Sequence, residues 1–308
     1  MHFYNGMPTL SIRHLFSFLG PFLVFWILFW LIPLGWGIDL SMQDPNMGIA
    51  NLDGQEKVYV GFENFQRTLT DQKFYKALGN TSRYVLGSIA FIIPLSFLLA
   101  VALHELPRSI RGISAFFLLV PGLALPGVMS KLFYLFFHGR EGALNQYLIM
   151  PLGMDPINWM MDPNFIMSSL VMQAVWRWTG VAALFFLCGL ESIPRWHFEL
   201  AKLEGFSFFA KLRFILIPGI RNLALFIAIF LIVDGVAAFS GAYTLLGGSG
   251  GMLDSGLLLV TYVYQVAFPG GSGRFDLPGA ASMSLLVAPL LGGMLFILLK
   301  TKTFFLRT

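Results

Sequence analysis

Six apolar runs, at 15–38, 84–103, 112–137, 165–190, 222–243 and 280–299, each carry at most one charged residue. An α-helix needs about 20 apolar residues to cross the hydrocarbon core of a bilayer, and every run reaches that length. The pattern predicts an all-α, polytopic membrane protein with six transmembrane helices. The first run is longer than the apolar region of a signal peptide, and no small-residue cleavage site follows it, so it is expected to stay as a helix. Between the first two runs, 39–83 is polar and mixed, with Asp44, Pro45 and Asn46 as a turn signal. Within it, G-F-E-N-F at 61–65 and F-Y-K-A-L-G-N-T at 74–81 predict short surface helices. Asn80, Thr81 and Ser82 spell a glycosylation acceptor, but beside a span they read better as a helix cap. A second polar interval, 199–218, predicts two short amphipathic helices separated at Gly205, the first running from about Glu199 to Glu204 with its acids toward the positive helix N-terminus.

Composition agrees that lipid is the main solvent. The chain is 56% hydrophobic and 12% charged, with a mean hydropathy of +0.73, whereas soluble domains carry roughly a quarter charged residues. A net charge of +4 is too small to point to nucleic acid, and a single cysteine, Cys188, excludes an intramolecular disulfide. The distribution of charge is more telling. Six spans put both termini on one side, together with Arg13, Arg108, Arg111, Arg195, Lys202, Lys211, Arg213, Arg221, Lys300, Lys302 and Arg307 against Glu105, Glu191, Glu199 and Glu204. The opposite side carries seven cations and eleven acids. Positive charge stays inside, so the termini and the 199–218 interval are expected in the cytoplasm. Prolines and glycines within the runs (Pro94, Pro121, Pro126, Gly122 and Gly127 among them) permit kinks and close helix contact.

Catalytic and nucleotide-binding signals are lacking. No Gly-Lys dipeptide occurs, so the chain cannot bind ATP through a P-loop. G-G-S-G-G at 247–251 reads as a turn. His104-Glu105 does not extend to a zinc motif, because Arg108 stands at the last position, and the histidines show no metal-ligand spacing. Ionisable groups inside the spans carry more information, since each costs several kcal/mol unless paired or wetted. Arg177 and Asp234 lie at similar depth, about 20 Å from the ends of their helices. They fit either a structural ion pair or the wall of a wet cavity. Lys131, about 28 Å along its helix from Gly112, is placed to snorkel to the outer interface. Gln173, Trp176, Trp178, Phe239, Ser240, Tyr243, Tyr262, Tyr264 and Gln265 gather near the same depth or above it. They suit an interfacial aromatic belt, or a site where sugar C–H faces stack on rings.

From Leu187 the chain reads L-C-G-L-E-S-I-P-R-W-H-F-E-L-A-K-L-E-G-F-S-F-F-A-K-L-R-F-I-L-I-P. This resembles the coupling loop, or EAA motif, of permease subunits of bacterial ABC importers, with Glu199, Ala201, Glu204, Gly205, Ile215 and Pro218 in register. Leu200, Phe206 and Ile217 depart from the pattern. V-G-F-E-N-F at 60–65, A-L-G-N-T at 77–81, G-A-L-N at 142–145, I-N-W at 157–159, F-S-G-A-Y-T-L-L-G-G at 239–248 and A-A-S-M-S at 280–284 look, in order and spacing, like carbohydrate-uptake permeases of the maltose type. The 60–81 segment favours the first permease of that type. The large outer insertion of the maltose protein is missing, so maltose itself is not implied.

The resemblance implies a type I ABC importer permease fold in the bacterial cytoplasmic membrane, with 1–14 and 300–308 cytoplasmic. The segment 15–83 would hold the first helix and an extracytoplasmic part, and 84–299 a core of five helices with a coupling loop at 191–219. It implies a second permease subunit, two ATPase subunits and an extracytoplasmic solute-binding protein. ATP and Mg would be bound on the partners, with no cofactor on this chain. Glu199, Leu200, Ala201, Leu203, Glu204, Gly205, Phe206, Phe209 and Pro218 would dock the ATPase, with Phe198, Leu203, Phe206 and Phe209 as apolar knobs. An amphipathic helix resting on lipid is the bland counterpart. Gln173, Trp176, Arg177, Asp234, Phe239, Ser240 and Tyr243 are candidates for the solute path. A permease for a glycerol-phosphate-type solute is an alternative. An ion-coupled transporter would favour inverted repeats between the chain halves, and none is visible.

Overall fold

A computed structural model of the chain describes residues 12–45, 58–268 and 275–305. Most of the polar lead, the turn residue Asn46 and the last three residues lie outside these. The elements are α1 (Ile12–Trp26), α2 (Ile32–Ser41), α3 (Glu63–Thr70), α4 (Gln72–His104), α5 (Arg108–Leu123), α6 (Pro126–Phe136), α7 (Pro163–Glu191), α8 (Arg195–Leu203), α9 (Phe208–Lys211), α10 (Ile217–Val236), α11 (Ser240–Leu245), α12 (Leu259–Ala267) and α13 (Leu277–Phe305). No strand occurs among the described residues; Gln43 and Tyr59 form an isolated bridge. Three wide π turns, Ile27–Leu31, Asn145–Ile149 and Leu212–Leu216, each end two residues before a proline: Pro33, Pro151 and Pro218. Proline lacks an N–H and crowds the carbonyl four residues back, and a local i→i+5 turn relieves that conflict.

Four helices are long and apolar enough to cross a membrane: Leu19–Ser41, Gln72–His104, Pro163–Glu191 and Phe208–Val236. A fifth crossing exists if α5 and α6 count as one, and Leu277–Gly293 is a shorter apolar helix. The α5–α6 pair corrects the expected straight run at 112–137, because it bends by 95°. Leu125 precedes Pro126 and adopts extended backbone (φ −61, ψ 126), as the ring of a following proline demands. The run expected at 222–243 also breaks. Its helix stops at Val236, and Phe239 leaves helical geometry (φ −135, ψ −70) before α11 restarts the chain.

The outer segment differs from expectation as well. Residues 74–81 are the first turns of α4, which is capped by the Asp71 carboxylate accepting from Lys73 N at 2.8 Å. At 33 residues α4 is about 50 Å long. Asn80 is therefore mid-helix, not a cap; its buried amide donates to Asp254 O (2.8 Å) and Leu257 O (3.2 Å). Thr81 Oγ1 accepts from Leu259 N and so closes the start of α12. Asn64 donates to Ser41 O and Gln43 O, and Arg67 pairs with Asp276 at 2.6 Å. Asn145 holds Gly139 O, Ile157 O, Ile157 N and Trp159 Nε1. The motif asparagines thus satisfy loop backbone that burial would otherwise leave unpaired.

The centre of the bundle is α4, α7 and α10. Ile92, Ala100 and Leu103 meet Ala182, Phe186, Leu187 and Leu190, with Leu216, Ile220, Ile227 and Leu231 closing the layer. Lipid offers apolar groups as good a home as protein, so close fit rather than transfer from water holds such a layer. Gly180 shows how close: a Cβ there would collide with the backbone carbonyl of Leu118 on α5.

Candidate functional site

Both helix breaks open onto one cavity of about 250 Å³. Its walls include Pro126 and Met129 of α6, Gln173, Trp176, Arg177 and Trp178 of α7, and Asp234 of α10. The irregular stretch from Ala237 to Ala242 and Tyr84 of α4 complete it. Six of the seven residues singled out for the solute path therefore meet at one place. Tyr243 is not in the wall. It packs on Phe239 at 5.0 Å and on Tyr264 at 5.2 Å, and Phe268 extends the aromatic row from Tyr264.

Polar contacts fix the lining. Trp178 Nε1 donates to Asp234 Oδ2 at 2.8 Å. The Arg177 guanidinium lies over the Trp178 ring, 4.7 Å from its centroid. Among the described residues no direct Arg177–Asp234 ion pair forms, and Trp178 contacts both. Arg177 Nε is buried with no hydrogen-bond partner. Gln173, buried, donates to Ser130 Oγ at 2.7 Å, and that hydroxyl also lies 2.9 Å from Gly241 O. Ser130 and Tyr84 escaped the sequence reading. Ser130 carried one usable signal, a hydroxyl four residues after Pro126, placed to reach that proline's carbonyl (2.8 Å). Trp176, 44% exposed, separates this cavity from a wider apolar one of about 940 Å³ between α4, α6 and α7. The depth worked out for Lys131 assumed a straight helix, and the 95° bend removes that basis.

At the far end of α7 and α10, the 199–218 interval is arranged differently from the expected pair of helices. α8 begins at Arg195, behind Pro194 in extended backbone. Glu199 is thus in the second turn, and Glu204 is the C-cap, where its charge opposes the helix dipole. The helix closes with the paired bonds of a Schellman motif: Phe206 N to Ala201 O (2.8 Å) and Gly205 N to Lys202 O (3.2 Å). Gly205 supplies the left-handed conformation, φ +67. Ser207 caps α9 by accepting from Ala210 N. Ala201 is buried, whereas Leu203 is 86% and Phe209 76% exposed. Leu200, Glu199 and Pro218 are also exposed. Phe198 and Phe206 correct the expected set of knobs: Phe198 packs against the core beside His104, and Phe206 is half-buried against Phe214.

In the glycine-rich stretch 247–251, Ser249 Oγ donates to Leu246 O and accepts from Gly251 N. It shapes the turn. No cluster of three or more metal-ligating side chains exists among the described residues.

Comparison with known proteins gives these features a context. The arabinooligosaccharide transport system permease protein AraP of Bacillus subtilis (strain 168) is 31% identical over 251 residues, covering 81% of this chain and 77% of that one. The lactose transport system permease protein LacF of Rhizobium radiobacter is 26% identical over 253 residues, covering 82% of each. A crystal structure of a bacterial ABC transporter involved in the import of the acidic polysaccharide alginate matches with a TM-score of 0.75 at 20% identity, over 95% of each chain. The profile of the binding-protein-dependent transport system inner membrane component matches residues 92–301. The chain belongs to that family: it is a membrane-embedded permease subunit of an ABC importer, a translocation component whose ATPase resides on separate subunits.

Proposed function

We propose that this subunit carries a carbohydrate, a di- or oligosaccharide or a related polyol, across the bacterial cytoplasmic membrane by alternating access. The observation that carries the proposal is that two interrupted helices open onto a single polar and aromatic cavity. Non-helical backbone at membrane depth is tolerated where it lines a cavity rather than lipid. Here it comes with flat rings and with hydrogen-bonding groups from Gln173, Asp234 and Ser240. At about 250 Å³ the cavity falls just below the usual range of ligand sites, roughly 300–1,000 Å³. A longer solute therefore needs a second wall, which a second permease subunit supplies in this reading. The names of the relatives, an arabinooligosaccharide and a lactose permease, support the solute class.

In the same reading an extracytoplasmic solute-binding protein delivers the solute, and two ATPase subunits hold ATP and Mg. Both termini lie in the cytoplasm in this reading, which the asymmetry of charge supports. The exposed Leu200, Leu203 and Phe209, with Glu199 and Glu204 beside them, enter a groove on an ATPase. Gly205, Phe206, Ala201 and Pro218 hold the shape of that lever. Two measurements test this. Tagged chain should bring down an ATPase under gentle detergent conditions, and Gly205→Pro should abolish uptake of oligosaccharide. No co-purifying ATPase, together with intact uptake in the variant, sinks the reading.

One observation favours a narrower alternative, a solute bearing a carboxylate or phosphate: the buried Arg177 Nε has no partner. Arg177→Gln then abolishes uptake of acidic oligosaccharides and spares neutral ones. Equal effects on both refute it.

A further inference from the structure

A third cavity, of about 790 Å³, lies at the end of the bundle where α4, α5, α7 and α8 meet. One wall is apolar: Ala115, Leu184, Leu187, Ile193 and Phe198. The rim is cationic, with Arg108, Arg111 and Arg195 set against one acid, Glu191. Arg111 is already engaged through its two terminal nitrogens, pairing with Glu191 and donating to His104 O and Leu106 O, each at 3.0 Å, while its buried Nε has no partner. No carboxylate partner exists for Arg108 or Arg195 among the described residues. These two arginines open α5 and α8, and neither helix has a side-chain cap, so free backbone N–H groups add to the positive field. The depth is also informative. Arg108 begins α5 and Glu191 ends α7, which puts the rim where the apolar runs stop. From there α5 presents exposed Ile113, Phe116 and Phe117 along the membrane, while exposed Trp196 stands at the rim level, a typical interfacial position.

We infer that this cavity binds an anionic phospholipid of the inner leaflet, its phosphate held by Arg108 and Arg195 and its chains lying on the apolar wall and the outer face of α5. A soluble phosphate would leave the apolar wall wet. A zwitterionic lipid would bring a cation to an excess of arginine. An anionic lipid matches both charge and surface, as basic pockets between transmembrane helices on the cytoplasmic side do. The inference rests on the cytoplasmic placement of this end. Because Arg195 and Phe198 belong to α8, a bound lipid would splint the root of the coupling segment to α5.

The assembled importer, in nanodiscs of phosphatidylcholine with or without phosphatidylglycerol, provides the test. Native mass spectrometry should find phosphatidylglycerol retained and phosphatidylcholine lost. Arg108→Gln with Arg195→Gln should lower retention at least about tenfold, and Arg108→Lys with Arg195→Lys should restore most of it. Cys188, the chain's one cysteine, is exposed and lines the same cavity. Its reaction with maleimide should slow when phosphatidylglycerol is present, and not in the Gln variant. Equal retention of both lipids, unchanged retention in the Gln variant, or relief of the Cys188 protection by millimolar inorganic phosphate each overturns the inference. In sealed membrane vesicles of each orientation, a membrane-impermeant maleimide reports the sidedness separately, so a wrong orientation is not mistaken for a missing lipid site.

Discussion

Gly205 gives a graded test of whether the turn between α8 and α9 acts as a lever. It has φ +67, and a Cβ added there meets no atom within 4 Å. Gly205→Ala therefore costs the backbone conformation alone, about 1–2 kcal/mol for an L-residue in the left-handed region. Gly205→Asn costs less, because asparagine tolerates that region. Gly205→Pro cannot reach a positive φ, and it also removes the N–H that donates to Lys202 O. The bond from Phe206 N to Ala201 O depends on the same turn. Losing both adds about 1–3 kcal/mol, and the total exceeds about 3 kcal/mol. At 1.4 kcal/mol per factor of ten, the native turn falls more than about a hundredfold in Pro and about 5- to 30-fold in Ala relative to its alternatives. Solute-stimulated ATP hydrolysis by the reconstituted complex should then follow the order Gly, Asn, Ala, Pro, with equal amounts of subunit in the membrane. If Ala fails as completely as Pro, a partner touches this position and the backbone argument is wrong. If Pro works like Gly, the turn is not a lever.

Three other outcomes are expected. Asp234→Asn keeps the shape and an acceptor for Trp178 Nε1 but removes the charge; uptake should fall at least about tenfold while the complex still assembles, and loss of assembly in pull-downs would instead make Asp234 structural. Gly180→Val drives a side chain into the Leu118 carbonyl, so the subunit should fail to accumulate in membranes, with Gly180→Ala milder; wild-type levels for Val would show that α5 does not lie where the structure puts it. Asn145→Leu leaves Trp159 Nε1, Ile157 N and two carbonyls without partners, at about 1–3 kcal/mol each, so thermal unfolding in detergent should move down by several degrees or more, and an unchanged midpoint refutes the role given to this residue.

Much of this was legible because helix arithmetic is local. Arg177 and Asp234 could be placed at one depth from their distance to the ends of apolar runs, and both line the cavity. The breaks were not legible. Pro126 resembles Pro94, which α4 accommodates within a continuous helix. What separates them is tertiary: the turn at Pro126 carries Ser130 toward Gly241 and Gln173, a set of partners no single helix displays. The start of α8 was misjudged for a related reason. Acids favour helix N-termini by a few tenths of a kcal/mol, whereas Pro194 sets the entry geometry outright, and the weaker preference lost. Phe198 was misplaced because an aromatic residue in a polar interval suits a core contact as well as an exposed knob, and His104 and the α4 wall were not visible in the local sequence.

The coupling segment and the cavity belong to one mechanical unit. From Phe208 to Val236 the chain is helical over 29 residues, about 43 Å, interrupted in hydrogen bonding only by the wide turn that Pro218 imposes. One end joins the Gly205 turn, and the other carries Asp234 and stops where the backbone opens around the cavity. A rod of this kind passes displacement along its axis, and the break after Val236 ensures that the displacement is spent on the cavity wall rather than carried into α11. This separates the two ends experimentally. Gly205→Pro disconnects the rod from its drive, so ATP hydrolysis becomes insensitive to solute. Asp234→Asn leaves the drive connected, so basal hydrolysis persists at the wild-type rate while transport fails. If both variants lose basal hydrolysis together, the 43 Å of helix is not the route, and the coupling must run through α7, which ends at Glu191 and is joined to α8 by residues 192–194 alone.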